Sequence, residues 1–356
     1  MKNRYISIVF LFGGILMITL GIFYSNKEID YDVNYQNNEV SLYNTIISKN
    51  KKVVTINLSF IGDSLLASYK GEKYSMNFQD LLDNNKYSFP FKNVSNIFLK
   101  DDFTIANGEN VFTDKKLTPI EKNHSPAYWY YTQERFANIY KESSIEVVSV
   151  MNNHAYDYGT TGYNDTINAL ENVGVIPGGD KDIILEKSGI KIGLICTNLF
   201  YEFQVNETVS RIKKLKEKVD YVIIYFHGGT EYLYSPTNAI VEYSHKFIDN
   251  GADLVVGCHP HVLQPIEVYK DKKIIYSLGS FLFGGTLTLV NRTVIYQLEL
   301  NFDLIENKII EKENIIPCYL YSKKSGYEKW IPDVIDDEKE KQNVIDFMNG
   351  LRSLPY

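Results

Sequence analysis

The chain has 356 residues, 44% of them hydrophobic and 23% charged, so it can form one large α/β domain with additional segments. Its formal net charge is −7, and no cluster of lysine and arginine is interleaved with aromatic residues, which excludes nucleic acid as an expected partner. The three cysteines, Cys196, Cys258 and Cys318, cannot complete an even disulfide framework, so we expect buried free thiols.

Residues 1–24 are predicted to form a transmembrane anchor. Lys2 and Arg4 precede residues 5–24, a run without charge that is long enough to span a bilayer as a helix. Positive residues before the span favour an inside N-terminus, so we expect a single-pass protein of the cell membrane with its main domain outside the cytoplasm. The alternative is a cleaved signal peptide, although the run lacks an Ala-x-Ala-like site. Residues 25–52 are polar and are predicted to be a linker.

Residues 53–318 are predicted to be an α/β domain. Helical patterns alternate with strand-like runs, which is typical of a layered α/β fold; the helices are expected near residues 130–143, 160–173, 207–219 and 236–250. After residue 272 the pattern changes to successive strands, expected to be antiparallel, at residues 273–277, 293–301 and 309–319. Residues 319–356 form a C-terminal extension with a helix expected at residues 337–351.

A His-x-His pair follows an apolar run at residues 253–257 and is the first candidate for chemistry. Side chains two apart on an extended segment point the same way, so His259 and His261 could bind one transition-metal ion. The alternative is a turn fixed by Pro260 with two solvated histidines. The same alternation points Cys258 away from both histidines, and it is therefore not predicted to be a ligand.

Two more apolar runs end in a residue that can bind metal. Asp63 ends the run at residues 53–63, and His227 ends the run at residues 221–227 and precedes two glycines, which permit close backbone approach. Asp63 alone could equally be a helix N-cap. His227 alone could be a half-buried histidine that bonds a carbonyl group.

A fourth run, at residues 147–151, is followed by Asn152, Asn153 and His154 and then by Asp157. Oxygen and nitrogen donors beside a strand end suit a divalent cation, although the cluster is also compatible with an ordinary loop. In an open α/β sheet, ligands bind beyond the carboxyl ends of the strands. Four such ends with Asp, Asn or His therefore predict one metal site.

These segments together resemble the bacterial capsule-synthesis CapA family, also called PgsA-like and linked to poly-γ-glutamate synthesis, over roughly residues 53–300. That family is itself similar to calcineurin-like metallophosphoesterases. The matching motifs are Ile61-Gly-Asp63, Ala106-Asn-Gly-Glu109, Asn152-Asn-His-Ala-Tyr-Asp-Tyr-Gly159, His227-Gly-Gly-Thr-Glu231, His259-Pro-His-Val-Leu-Gln-Pro265 and Tyr276-Ser-Leu-Gly-Ser-Phe281.

The resemblance implies a calcineurin-like metallophosphoesterase-type layered α/β sandwich that holds one or two divalent ions, Mn²⁺, Zn²⁺ or Fe²⁺. Carried over residue by residue, it implies the metal ligands Asp63, Glu109, Asn153, His227, His259 and His261. It further implies that His154 faces the reacting group. Asp157 would orient His154, unless it only caps the following helix. Asn107 and Glu231 are the expected substrate contacts, although Glu231 could instead lie behind the ligands and support them.

The chain departs from the pattern at four positions. Gly108, Gly228 and Ser280 stand where the family usually has Leu, Trp and Asn, and these changes are expected to reshape the substrate cleft. Leu65 stands where classical metallophosphoesterases have a histidine ligand, so a second metal ion is expected to bind weakly or not at all.

Two classes of function follow. One is a membrane-anchored hydrolase that cleaves phosphoester or amide bonds of an anionic envelope polymer such as poly-γ-glutamate. The other is a non-catalytic, metal-binding component of a polymer synthesis or export complex that contains other capsule-synthesis subunits. A cytoplasmic phosphatase is opposed by the predicted anchor.

Overall fold

A computed structural model describes residues 53–67, 78–123, 125–284, 291–322 and 330–356. The predicted anchor at residues 1–24 and the linker at residues 25–52 lie outside the described residues. Within the described part of the chain, no helix combines the length and the apolar character that crossing a membrane requires.

The described strands form two large sheets and a small ribbon. In chain order they are β1 (Val53–Leu65), β2 (Phe103–Gly108), β3 (Val111–Phe112), β4 (Tyr131–Thr132), β5 (Val147–Ser149), β6 (Ile176–Gly178), β7 (Ile183–Lys187), β8 (Ile190–Asn198), β9 (Tyr221–His227), β10 (Leu254–Cys258), β11 (Leu263–Tyr269), β12 (Lys272–Leu278), β13 (Ser280–Phe283), β14 (Thr293–Asp303), β15 (Lys308–Tyr319) and β16 (Asp333–Val334). The first sheet has the order β16-β15-β14-β1-β2-β5-β6, with β13 also beside β1, and the second has the order β11-β12-β10-β9-β8-β7.

Helices cover the outer faces of both sheets. They are α1 (Phe78–Asn84), α2 (Ser95–Phe98), α3 (Asn138–Glu142), α4 (Gly159–Asn172), α5 (Glu202–Lys216), α6 (Asn238–Asp249) and α7 (Glu338–Met348). Helices α1 to α4 share one apolar cluster with the first sheet, and α5 and α6 share another with the second. A third cluster joins the inner faces of the two sheets. The protein is therefore a helix–sheet–sheet–helix sandwich, which confirms the predicted layered α/β class.

The parallel strands at the centre of each sheet determine where the site lies. In the first sheet β1, β2, β5 and β6 are parallel neighbours, and in the second β8, β9, β10 and β12 are parallel neighbours. Their side chains are almost wholly buried because both faces of each sheet are covered. The carboxyl ends of neighbouring parallel strands meet at one edge, where polar side chains can converge.

Most predicted helices are present, with one exception. Helices α4, α6 and α7 lie where the pattern places them, and α5 begins at Glu202, five residues before the predicted start at 207. The Gln204 side chain accepts hydrogen bonds from the backbone nitrogens of Phe200 and Tyr201 and so caps the earlier start. The prediction of one helix at residues 130–143 is wrong, because β4 and a 3₁₀ turn at Glu134–Ala137 precede the short α3.

The strands after residue 272 were expected to be antiparallel, and this is correct only in part. Strand β14 is antiparallel to both β15 and β1. Strand β12, however, lies in the second sheet, antiparallel to β11 but parallel to β10. The C-terminal segment adds β16 to the edge of the first sheet, and α7 inserts Val344, Phe347 and Met348 between the sheets. The domain boundary at residue 318 stays a prediction.

A close backbone approach connects β1 to the segment before β13. The Asp63 backbone nitrogen donates to the carbonyl of Gly279 at 3.1 Å. A Cβ atom on Gly62 would lie 1.8 Å from that carbonyl oxygen, so only glycine fits beside it. This approach places Asp63 at the edge where the strands of both sheets end.

Candidate metal centre

The six residues that the family resemblance predicts as metal ligands lie close together where the strands of both sheets end. Asp63 lies on β1 and His227 ends β9, whereas the others follow β2, β5 and β10 directly. The members of this set are Asp63, Glu109, Asn153, His227, His259 and His261. Asp63, Glu109 and His227 are at most 1% exposed, and the other two histidines are also buried. The strand ends of both sheets thus enclose one polar cluster.

The Asp63 carboxylate is at the centre of this cluster. Its Oδ1 accepts a hydrogen bond from Asn107 at 2.9 Å and lies 3.4 Å from Nδ1 of His227. Its Oδ2 lies 3.2 Å from Nδ1 of His261 and accepts from the backbone nitrogen of His259 at 3.2 Å. Burial alone would raise the pKa of Asp63, but His227 and His261 hold it well below its usual range, so the carboxylate is ionised.

The His227 imidazole separates two groups of donors. Its Nδ1 faces Asp63, whereas its Nε2 lies 2.9 Å from Oδ1 of Asn153, 3.0 Å from Nδ1 of His259 and 3.6 Å from Oε1 of Glu109. Donor atoms of Asp63, His227 and Cys258 lie within 4.8 Å of one another, as do those of Glu109, His259 and His261. The geometry therefore offers two adjacent three-residue groups that could each hold a cation.

The surroundings of the Glu109 carboxylate test whether a cation fits this cluster. Both of its carboxylate oxygens are buried, and neither has a hydrogen-bond partner among the described residues. Burial and the nearby Asp63 carboxylate raise the pKa of Glu109 well above its usual range. A buried carboxylate without partners costs several kcal/mol of free energy, about what a coordinated cation would offset. The carboxylate, imidazole and amide donors of the cluster suit Mn²⁺, Zn²⁺ or Fe²⁺.

His261 carries the opposite charge in the protein without metal. Burial would lower the pKa of His261, but the carboxylates of Glu109 and Asp63 raise it to about 9. Burial and the neighbouring histidines instead lower the pKa of His259 well below its usual range. An imidazolium at His261 therefore pairs with the ionised carboxylate of Asp63, and a cation would replace the proton that His261 carries.

The two histidines of the His-x-His pair converge by a route that strand alternation does not describe. Strand β10 ends at Cys258, and His259 and His261 have φ values of +105° and +57°. These left-handed conformations are unusual for residues with a Cβ atom. The prediction that both lie on an extended segment is wrong, yet the ring centroids are 5.9 Å apart. Ser280, which was expected only to reshape the substrate cleft, lies with its Oγ 3.0 Å from Nδ1 of His261.

His154 and Asp157 form a pair beside the cluster. Nδ1 of His154 lies 2.8 Å from Oδ2 of Asp157, and Asp157 Oδ1 is 2.5 Å from Nζ of Lys122. Oδ2 of Asp157 also accepts from the backbone nitrogen of Tyr130, whose ring packs edge-on against His154 at 4.7 Å. Tyr158 holds the N-cap position of α4 without a side-chain hydrogen bond, so the Asp157 carboxylate does not cap the helix and instead contacts Nδ1 of His154. Lys122 and Tyr130 had no signal in the sequence.

The two expected substrate contacts occupy different environments. Asn107 is fully buried, and its Nδ2 lies 3.2 Å from Nδ1 of His227 while its Oδ1 accepts from Asn152. These contacts indicate that Asn107 holds Asp63 and His227 in place rather than binding a substrate. Glu231 is exposed, and its negative charge contributes to the raised pKa of Glu109 and of His261. It therefore lies near the mouth of the site.

Cys258 lies beside Asp63 and His227 rather than beside the two histidines from which strand alternation points it away. Its Sγ is 3.4 Å from Nδ1 of His227, on the Asp63 side of the ring. Alternation within β10 carries no information about this neighbour, because His227 lies on the adjacent strand β9. Cys196 and Cys318 are also buried, so all three cysteines are free thiols as predicted.

A cavity of about 710 Å³ is lined by residues that flank the His154 pair in the sequence. Trp129 and Tyr131 adjoin Tyr130, and Tyr158 adjoins Asp157. The cavity lining also includes Lys115 and Lys116. It therefore combines aromatic surfaces with the charges of Asp114, Lys115 and Lys116, and Lys115 is paired with Asp165 at 2.5 Å.

Fold and site together define a layered α/β protein with a buried cluster of side chains that could hold a metal ion at the ends of its parallel strands. The model of the bacterial capsule synthesis protein family PGA_cap matches residues 57–285. The chain belongs to this family, which confirms the resemblance drawn from the sequence.

Two curated relatives and one solved structure are similar to this chain. It is 29% identical to the PGA biosynthesis protein CapA of Bacillus subtilis (strain 168) over 274 residues, which covers 69% of this chain and 68% of the relative. It is 31% identical to the capsule biosynthesis protein CapA of Bacillus anthracis over 251 residues, which covers 61% of this chain and 60% of that relative. The crystal structure of TT1561 of Thermus thermophilus overlaps 73% of this chain and 99% of its own, at 11% identity and a TM-score of 0.40, too low to bear on the fold.

We expect the purified full-length chain to contain one or two transition-metal ions per molecule. A His259→Ala/His261→Ala variant should lose these ions, because two imidazole donors are removed. Elemental mass spectrometry of the dialysed protein measures both. His245→Ala is the matched control, since His245 bonds Glu267 and stacks on Tyr269 away from the cluster. Equal metal content in all three proteins would contradict the site.

Proposed function

We propose that this protein is a metal-dependent hydrolase of the calcineurin-like metallophosphoesterase type that cleaves an anionic envelope polymer such as poly-γ-glutamate. The observation that carries the proposal is the Glu109 carboxylate, which is buried without hydrogen-bond partners among the described residues and faces three histidines and Asp63. An unpaired buried carboxylate destabilises the fold, so this arrangement favours a bound cation. A cation makes it favourable and supplies chemistry at the same time.

The proposed ligands are Asp63, Glu109, Asn153, His227, His259 and His261. A divalent cation supplies Lewis-acid chemistry and a nucleophile near neutral pH when it is bound. The protein contributes the arrangement: Asp63 is ionised, Asn107 and His227 hold its Oδ1, and Ser280 faces Nδ1 of His261. Partners of this kind fix the orientation of the ligands before any substrate binds.

His154 is the proposed proton donor to the leaving group. Asp157 holds Nδ1, so Nε2 is the nitrogen left to face a reacting group, and Tyr130 limits rotation of the ring. Burial lowers the pKa of His154, and the Asp157 carboxylate opposes this effect. Asp157 can therefore stabilise the imidazolium when a proton is needed, while Lys122 holds the other oxygen of Asp157 in place.

The proposed substrate is a polymer that carries carboxylates. Relatives of this chain are named PGA biosynthesis and capsule biosynthesis proteins, which supports a polymer of the envelope. The net charge of −7 opposes binding of a polyanion. Lys116 in the cavity beside Tyr158 provides local positive charge, Lys115 adds to it although it is paired with Asp165, and bound cations would add more. We propose that the cavity holds part of the polymer outside the bond that is cleaved.

A second candidate is a non-catalytic component of a polymer synthesis or export complex that uses the metal only to hold the chain. The observation that favours it is Leu65, which stands where classical metallophosphoesterases have a histidine and which packs into the apolar core beneath α1 to α4. The two candidates share the metal site and the polymer and differ in whether a bond is broken.

We further propose that residues 1–24 anchor the protein in the cell membrane with the site outside the cytoplasm, on the strength of Lys2, Arg4 and the uncharged run that follows. The full-length chain is then expected in the membrane fraction after an alkaline wash, whereas a chain that lacks residues 1–24 is soluble. Protease added to intact cells without a wall is expected to digest the domain. Protection from the protease would contradict the orientation.

For the metal-loaded protein, we expect His154→Ala to reduce kcat for phosphodiester or γ-glutamyl substrates by roughly 10²- to 10⁴-fold, the usual contribution of a general acid. Asp157→Asn should have a smaller effect in the same direction, because it leaves the imidazole in place but no longer stabilises its charge. Steady-state kinetics and metal content are measured together, with His245→Ala as control. A metal-loaded wild type that binds the polymer but hydrolyses nothing would favour the second candidate.

A Lys115→Glu/Lys116→Glu variant is expected to bind poly-γ-glutamate roughly tenfold more weakly at low ionic strength, with unchanged metal content, because two positive charges of the cavity become negative. Calorimetry at two salt concentrations measures the effect. The matched control is Lys213→Glu/Lys214→Glu, an adjacent exposed pair in the last turn of α5. Equal weakening in both variants would show that net charge alone, rather than the cavity, governs binding.

A further inference from the structure

Cys258 belongs to the metal centre by position. It is the last residue of β10 and pairs in register with His227, the last residue of β9, so both side chains leave neighbouring strands at the same level. Its side chain is fully buried. The Sγ atom, Nδ1 of His227 and a carboxylate oxygen of Asp63 lie within 4.8 Å of one another.

The separations between these atoms match those of donors around one metal ion. Zn²⁺ binds sulfur at about 2.3 Å and nitrogen or oxygen at about 2.0–2.2 Å, so neighbouring donors of a tetrahedral site lie about 3.3–3.6 Å apart. Here Sγ of Cys258 is 3.4 Å from Nδ1 of His227, and that nitrogen is 3.4 Å from Oδ1 of Asp63.

We propose that the Cys258 thiolate is a ligand of the ion held by Asp63 and His227, so that the resident metal is Zn²⁺ or Fe²⁺ rather than Mn²⁺. The inference rests on the metal site of the proposed function and extends it. A thiol is a soft donor, and soft donors select zinc and iron over manganese and magnesium. On binding, the S–H bond breaks, the sulfur electron pair forms the bond to the metal, and the proton passes to solvent.

The competing explanation is a buried thiol that only donates a hydrogen bond. Sγ of Cys258 is also 3.4 Å from the carbonyl oxygen of Phe226. A thiol has a single proton, so if it donates to this carbonyl, the proton in its contact with Nδ1 of His227 must come from the ring. The Glu109 carboxylate, on the other side of His227, has no hydrogen-bond partner among the described residues, and this marks the whole cluster as a place for cations.

Cobalt(II) substitution tests the inference without relying on activity. We expect the full-length chain loaded with Co²⁺ to show a thiolate-to-cobalt charge-transfer band in the near ultraviolet and Cys258→Ser to lose it. The Zn²⁺ affinity of Cys258→Ser should fall by roughly 10- to 100-fold or more, since even indirect partners of a metal contribute that much, while its Mn²⁺ affinity changes little.

The control is a Cys196→Ser/Cys318→Ser variant, which leaves Cys258 as the only cysteine of the chain. The band should persist in this variant, and this result decides the question even if Cys258→Ser does not fold. Bound cobalt without the band would overturn this inference and leave the metal site of the proposed function intact. A wild type that binds no cobalt, zinc or iron would overturn both.

Discussion

The buried carboxylate of Asp63 connects the two sheets of this protein, and the rest of the site is arranged around it. Asp63 extends from the first sheet, yet its Oδ2 accepts a hydrogen bond from the backbone of His259, which follows a strand of the second. An ionised group without solvent contact must be paired on every side. His227, His261 and Asn107 meet this requirement, and each is fixed in turn by further polar groups. The cluster is thus part of the interior structure as well as of the chemistry.

The site could be predicted from the sequence largely because parallel strands end together. Asp63, His227 and the residues after β5 and β10 were each ambiguous alone, but their common position after buried apolar runs indicated one edge of a sheet. The resemblance to the capsule-synthesis family added Glu109, which no periodicity marks. The layered α/β class followed from the same alternation of helices and apolar runs.

The remaining features depend on contacts between distant residues or on backbone conformations without a sequence signature. Ser280 and Lys122 reach the site from separate segments, and nothing in their local sequence relates them to His261 or Asp157. Alternation within β10 points Cys258 away from His259 and His261 but carries no information about His227, which lies on the neighbouring strand β9. The error at residues 130–143 has a similar cause: the segment has helical composition, but pairing of β4 with β3 and the hydrogen bond from Tyr130 to Asp157 hold its first part extended.

The left-handed backbone at His259 and His261 has a consequence for the stability of this turn. Residues with a Cβ atom in such conformations cost about 1–3 kcal/mol each, a penalty that glycine largely avoids. Glycine at either position would relieve this strain, but at position 261 it would also remove the imidazole that pairs with the buried carboxylate of Asp63. The strained turn and the charge pairing at its end therefore depend on each other.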